Sequence, residues 1–159
     1  MDRFNKILLH HNFKEYLRRI ATLEETRVFC KHEMTHFLDV ARICYILNLE
    51  NKANLDKEII YACSILHDIG RWKEYQEGID HAIASKGLAL DILKDCGFDQ
   101  REIKLICDAI GHHRTESNHP SNLSEFIYRA DKLSRPCNSC NSIDKCNRFE
   151  NGEIPTINY

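Results

Sequence analysis

No apolar run in this chain approaches the roughly 18 to 20 residues that span a bilayer. The opening stretch MDRFNKILLHHNFKEYL also lacks the apolar core and small-residue cleavage site of a signal peptide, so a cytoplasmic protein with no membrane partner is expected. A basic excess is missing too. With 22 Lys and Arg against 24 Asp and Glu the formal charge is -2, which gives no footprint for nucleic acid and leaves room only for a small anionic ligand held by a local cluster. Sustained period-two alternation between hairpin turns is absent, which argues against a sheet. Internal repeats and low-complexity segments are absent as well. What remains is a chain of 159 residues, 43% hydrophobic and 29% charged, the balance of one globular domain that buries a core without staples. Eight cysteines without an export signal read as thiols or metal ligands rather than disulfides.

The periodicity predicts an all-α chain with helices near 3–20, 22–48, 56–70, 79–95, 99–113 and 122–135. Asp99 and Glu102 have capping-box spacing, and Gly97 closes the helix before them. Pro120 and Pro136 mark stops on either side of the last long helix. After Pro136 the composition shifts to the polar, Asn-rich CNSCNSIDKCNRFENGEIPTINY, read as an irregular tail packed against the helices.

The stretch SILHDIGRW sets His67 and Asp68 at the end of an apolar run, and a lone buried carboxylate is costly unless partnered. Partners recur on other inward faces. His32 and His36 lie four apart, which on one helix means about 40° of rotation and roughly 6 Å of rise. His113 continues the stripe of Ile106 and Ile110, whereas His112 is turned about 100° away. Asp131 follows Ile127 by four, and His81 opens the helix HAIASKGLALDIL. A single inward His is more often a hydrogen-bonded core residue, and Arg71, Arg129, Lys132 and Arg135 offer ordinary ion pairs. Several helices delivering His and Asp together are instead the ligand set of Mn, Fe, Co, Ni or Zn.

The order His36, His67-Asp68, Asp131 resembles the HD superfamily of metal-dependent phosphohydrolases. The likeness runs from about residue 25 to 135 and rests on CKHEMTHFLDVARI, ILHDIGR, the His81 helix start, AIGHHR and IYRADKLSR in this order. It implies an HD-type helical bundle over 1–135, with the Cys-containing tail 136–159 on the same domain. His36, His67, Asp68 and Asp131 would then bind a metal. Extended members add two histidines, matched by His81 and His113, and hold two ions. Some also have a ligand one turn before the first His, where this chain has His32, and a paired His, where it has His112; a third ion then has ligands. The Gly-Tyr-Pro signature of the cyclic-dinucleotide phosphodiesterases is replaced by RTESNHPSNL, so that specificity is not implied. The chain looks most like the small stand-alone bacterial HD proteins, including dinucleoside-tetraphosphate hydrolases, although its Cys-rich tail departs from them.

The implied activity is hydrolysis of a phosphoester or phosphoanhydride in a small nucleotide-like substrate. Two divalent ions, Fe, Mn, Co or Ni, roughly 3.5 to 4 Å apart would share a water and present it as hydroxide. Asp68 would bridge them. Arg71, Lys132 and Arg135 would neutralise charge on the phosphoryl group, and His112 would protonate the leaving oxygen or help bind phosphate. For each basic residue a solvated helix face is the alternative. Two other functions compete: a diiron oxygenase, since the ligand set also resembles that of myo-inositol oxygenase, and a non-catalytic nucleotide or redox sensor.

A second cluster, Cys137-x-x-Cys140-x5-Cys146, resembles a zinc or iron-sulfur site one ligand short. Cys30 is the best fourth, which requires the tail to fold back across the helix of His36. Reduced thiols or a labile Cys137–Cys140 disulfide are the alternatives. Cys44, Cys63, Cys96 and Cys107 fall on helical stripes and read as small core residues.

Overall fold

The computed structural model describes residues 1–149 and 153–159, and among these every regular element is helical. Eight α-helices follow in order: α1 (Asp2–Leu9), α2 (His11–Leu23), α3 (Met34–Glu50), α4 (Lys57–Leu66), α5 (Arg71–Glu77), α6 (His81–Asp95), α7 (Gln100–His112) and α8 (Asn122–Leu133). Three single 3-10 turns, Cys137–Ser139, Ile143–Lys145 and Asn147–Phe149, carry the tail. Among the described residues no helix is long and apolar enough to cross a membrane.

α3 and α4 form the centre. α3 packs on α4 and α8, α7 on α6, α8 and α4, and the fully buried Phe37, Leu47, Ile60, Ile65, Leu66 and Ile106 fill the space between them. Cys44, Cys63, Cys96 and Cys107 are buried in this core, as their stripes predict. The capping box at Asp99 and Glu102 is formed, and Gly97 takes φ +87°, a left-handed conformation that ends α6 without a Cβ clash.

The helix expected over 3–20 is broken at His10, which is extended and accepts the Asn12 N–H at its ring as the cap of α2. The helix expected over 22–48 begins only at Met34. Glu24 accepts the backbone N–H of His32 at 2.7 Å, and Arg27 donates to the Cys30 carbonyl at 2.9 Å. These side-chain bonds hold 27–33 as an irregular loop in place of the helical ladder. His32 therefore stands on a loop ahead of α3 and does not share a helical face with His36. The helix expected over 56–70 stops at Leu66, and the His67-Asp68-Ile69-Gly70 turn leads into the short α5.

Arg3 ties α1 to the centre: its guanidinium donates to Glu58 at 2.8 Å on α4 and to Glu102 on α7. Burial tends to raise the Glu58 carboxyl, but hydrogen bonds from Arg3 and the chain start hold it down at about 2. Because that folded value lies below the ordinary one, the stabilisation is complete above about pH 4.5 and is lost as pH falls toward 2. Arg3→Ala is expected to cost about 1 kcal/mol at pH 7, after screening of a partly exposed pair, and less at pH 3. Urea unfolding at the two pH values checks it, and an equal loss at both would assign the effect to packing.

Candidate metal centre

The turn after α4 is the pivot of the site. His67 and Asp68 are fully buried where the apolar face of α4 ends, His36 comes from the first turn of α3, and Asp131 from the last turn of α8. His81 starts α6, and His113 caps the end of α7. His36, His67, Asp68 and Asp131 offer one donor atom each within 4.8 Å of one another, and Asp68, His81 and His113 form a second such group. Asp68 belongs to both. Its Oδ2 faces His67 Nε2 at 3.2 Å, while its Oδ1 faces His81 Nε2 at 3.2 Å and His113 Nε2 at 3.4 Å. His36 Nε2 lies 3.3 Å from Asp131 Oδ1. Ligand bonds of about 2.0 to 2.2 Å place neighbouring donors roughly 3 Å apart, which is the spacing seen here.

Each ring is turned by a bond at its other nitrogen. Nδ1 of His67 donates to the Ser64 carbonyl at 2.6 Å, and Nδ1 of His113 to the Ile110 carbonyl at 2.7 Å. Nδ1 of His81 bonds Glu74 at 2.8 Å, and Nδ1 of His36 meets the Ser134 hydroxyl at 3.2 Å. Every Nε2 is thereby freed to point at the shared centre, the arrangement in which outer partners fix a metal-binding imidazole. Among the described residues the buried atoms His36 Nε2, His67 Nε2 and Asp68 Oδ1 have no hydrogen-bond partner. Unpaired polar atoms in a dry interior are expensive, and a cation held between them removes that cost. The donor set thus fits divalent transition metals.

The electrostatics agree. Burial pushes His36 and His81 down to about 4, so both carry a free lone pair at neutral pH. Burial acts the same way on His67, but the Asp68 and Asp131 carboxylates outweigh it and raise His67 to about 10. Asp68 would be raised by burial, yet His67 and Arg71 hold it well below the usual carboxylate range, and His36, His67 and Arg135 do the same for Asp131. The carboxylates draw positive charge into the centre, whether as a proton or as a metal.

His32 enters from its loop with Nε2 3.5 Å from Asp68 Oδ2. Its Nδ1 is bound by Glu24, which is itself buried and also accepts from Tyr75. Glu24, Glu74 and Ser134 orient imidazoles in this way, but nothing in the sequence sets them apart from surface residues of the same kinds. Glu24→Gln is expected to weaken metal binding by roughly tenfold, as loss of an outer partner commonly does. A metal titration unchanged by this substitution would detach Glu24 from the centre. His112 stands apart: it is half-buried, bonds the Asp108 carbonyl at 2.7 Å, and belongs to neither donor group.

Arg71, Lys132 and Arg135 line a cavity of about 440 Å³ that also reaches His32 and Asp131. Two of them are already paired. Arg71 Nε lies 3.3 Å from Asp68 and its Nη1 2.8 Å from Glu74, and Arg135 donates to Asp131 at 2.6 Å. The Lys132 ammonium sits 3.6 Å from the Tyr128 ring centre. Cys30, Cys137, Cys140 and Cys146 line the same cavity.

A protein of Clostridium beijerinckii, itself described as uncharacterized, is 46% identical over 147 residues, covering 92% of each chain. Among solved structures, a predicted HD superfamily hydrolase from an uncultured Thermotogales bacterium is similar at TM-score 0.60 and 26% identity. That likeness covers 76% of this chain and 66% of the other, so the chain spans just under two thirds of that protein's length. The HD domain family matches residues 34–135, a span that includes His36, His67, Asp68, His81, His113 and Asp131 and leaves His32 and all four cavity cysteines outside it. With the match covering more than half of the chain and these six donors converging inside it, the protein belongs to the HD domain family, within the metal-dependent hydrolase superfamily.

Proposed function

We propose that the protein is a phosphohydrolase that cleaves a phosphoester or phosphoanhydride bond of a small nucleotide-like molecule. The observation that carries this reading is the split of Asp68: each carboxylate oxygen faces a different set of imidazoles, beside a cavity lined by cationic side chains. Bound there, two divalent metals would supply an activated water and a Lewis acid for a phosphoryl oxygen. The protein's own groups do the remainder. Arg71 and Arg135 are held by Glu74 and Asp131 at the cavity wall, where their free N–H groups can bind phosphoryl oxygens. Burial lowers the Lys132 ammonium from its ordinary value, and that side chain reaches the same space. The Asp68 turn, sealed beneath by Ile65, Leu66 and Ile69, keeps bulk water away from the donors.

A phosphate-release screen over nucleotides, cyclic nucleotides and dinucleoside phosphates, run with Mn, Fe, Co, Ni and Mg in turn, tests the proposal. Turnover is expected with the transition metals more than with Mg, because imidazoles suit borderline ions and Mg prefers an oxygen shell. Hydrolysis in oxygen-18 water should label the phosphoryl product. Full activity with Mg alone in metal-stripped protein, or label only in the alcohol fragment, would overturn the mechanism. Dioxygen consumption without phosphate release would replace it with an oxygenase.

A further inference from the structure

The four cysteines that the core does not absorb share one place. Cys30 comes from the loop ahead of α3, and Cys137, Cys140 and Cys146 from the tail; all four are half-buried and line the cavity of about 440 Å³ beside the His and Asp donors. The tail folds back onto the loop ahead of α3 and onto α8: the Ser142 hydroxyl donates to the Val28 carbonyl at 2.9 Å, and Arg148 donates to the Lys132 carbonyl at 2.7 Å. Cys140 and Cys146 occupy equivalent positions, each directly after a 3-10 turn and each donating its N–H back to the first residue of that turn.

Apolar packing does not explain this order. None of the three turns contains a buried residue, and single 3-10 turns have poor hydrogen-bond geometry. A segment that buries so little surface needs another source of stability, and a metal bound by thiolates can supply on the order of 10 kcal/mol. The space that the thiols line bears on the size of the group. A single tetrahedral zinc with bonds of about 2.3 Å draws its sulfurs to roughly 3.8 Å from one another. Among the described residues no three of these sulfurs lie within 4.8 Å, although the His and Asp donors of the neighbouring centre do. All four thiols line one cavity of about 440 Å³, room for a group larger than a single ion. Arg27, Lys132, Arg135 and Arg148 border that space and would offset the charge of four thiolates.

We propose that Cys30, Cys137, Cys140 and Cys146 ligate an iron-sulfur cluster of the four-iron type, which clamps the tail over the mouth of the metal centre. Each thiol binds as its thiolate and releases a proton to solvent. The proposal stands independently of the reaction assigned to the neighbouring site.

The test uses the full chain, reconstituted anaerobically with ferrous and ferric iron in equal amounts and with sulfide, which together balance the cluster's two ferrous and two ferric irons, and then desalted. Acid-labile sulfide is the decisive readout, because iron on the His and Asp donors carries none. Roughly four sulfides per chain and thiolate-to-iron absorbance in the visible are expected. Both should be lost in Cys30→Ser and in Cys146→Ser, with far-ultraviolet circular dichroism unchanged, and kept in the core control Cys107→Ala. Retention of one zinc in an all-sulfur shell with no sulfide would overturn the cluster, and so would full sulfide in Cys30→Ser. Should the serine variants fail to fold, limited trypsin digestion of the wild-type chain decides. Cleavage after Lys145 and Arg148 should slow by roughly tenfold on reconstitution, and equal cleavage with and without iron and sulfide would overturn the clamp.

Discussion

Asp68→Ala is expected to abolish metal binding at the His and Asp centre and to lower turnover by on the order of 10³-fold or more. Asp68 is the single residue common to both donor groups, so its loss removes one oxygen from each. It also removes the carboxylate that Arg71 flanks at 3.3 Å and that would offset a bound cation. The helical fold should survive, because the apolar stripes supply the core and Arg71 keeps its bridge to Glu74 at 2.8 Å. Asp68→Asn sharpens the test: it preserves shape, yet a neutral amide cannot bridge two cations, so it should fail as Asp68→Ala does. Elemental analysis and circular dichroism check the two halves of the expectation separately. Phosphate release near the wild-type rate in Asp68→Ala would remove Asp68 from the mechanism.

Gly70→Ala is expected to destabilise the fold by about 2 to 3 kcal/mol and to disturb the second donor group at the same time. Gly70 ends the His67-Asp68 turn where it presses on the start of α6. A Cβ there would fall 2.7 Å from Ala84 Cβ, 2.8 Å from the His81 carbonyl oxygen, and closer still to the Ser85 amide nitrogen. Two of those three atoms are backbone, which cannot rotate away. The Gly70 N–H also donates to Ser85 Oγ at 2.8 Å, a buried bond that a displaced turn would forfeit. Relief of the clash therefore means moving α6, and His81 is its first residue. Thermal unfolding should show a midpoint lower by several degrees, and metal titration should show the His81 and His113 side weakened first. A midpoint within about 1 °C of wild type would show that the turn and α6 separate easily.

How far the site could be read depended on where each residue lies. His36, Asp131 and His113 were legible because each continues an apolar stripe on its own helix, and His67-Asp68 because it ends one. A spacing of four from His36 reads as a shared helical face for His32. His32 does approach Asp68, but from a loop, because the Glu24 carboxylate takes up the His32 N–H and ring and so stabilises an irregular path. Periodicity cannot foresee a competitor eight residues upstream. The same limit hid α5, whose seven residues are too few to show a period, and the break at His10, where one ring caps a new helix. The resemblance gives His112 as the second His of a pair, and the helical repeat turns it about 100° from His113; its ring bonds the Asp108 carbonyl, outside both donor groups.

The sequence by itself determined the helical class, the buried stripes and the chemical identity of the donors, since these follow from side-chain type and from a helical repeat that any short window contains. Only the tertiary structure decided that the two oxygens of Asp68 face different imidazoles, that Ser64, Glu74 and Ser134 turn those rings, and that Cys30 meets a tail more than a hundred residues downstream. Such distances depend on how α3, α4, α6, α7 and α8 cross one another. Those crossings are fixed by the fit of whole helical surfaces, a property that no single segment of the chain contains.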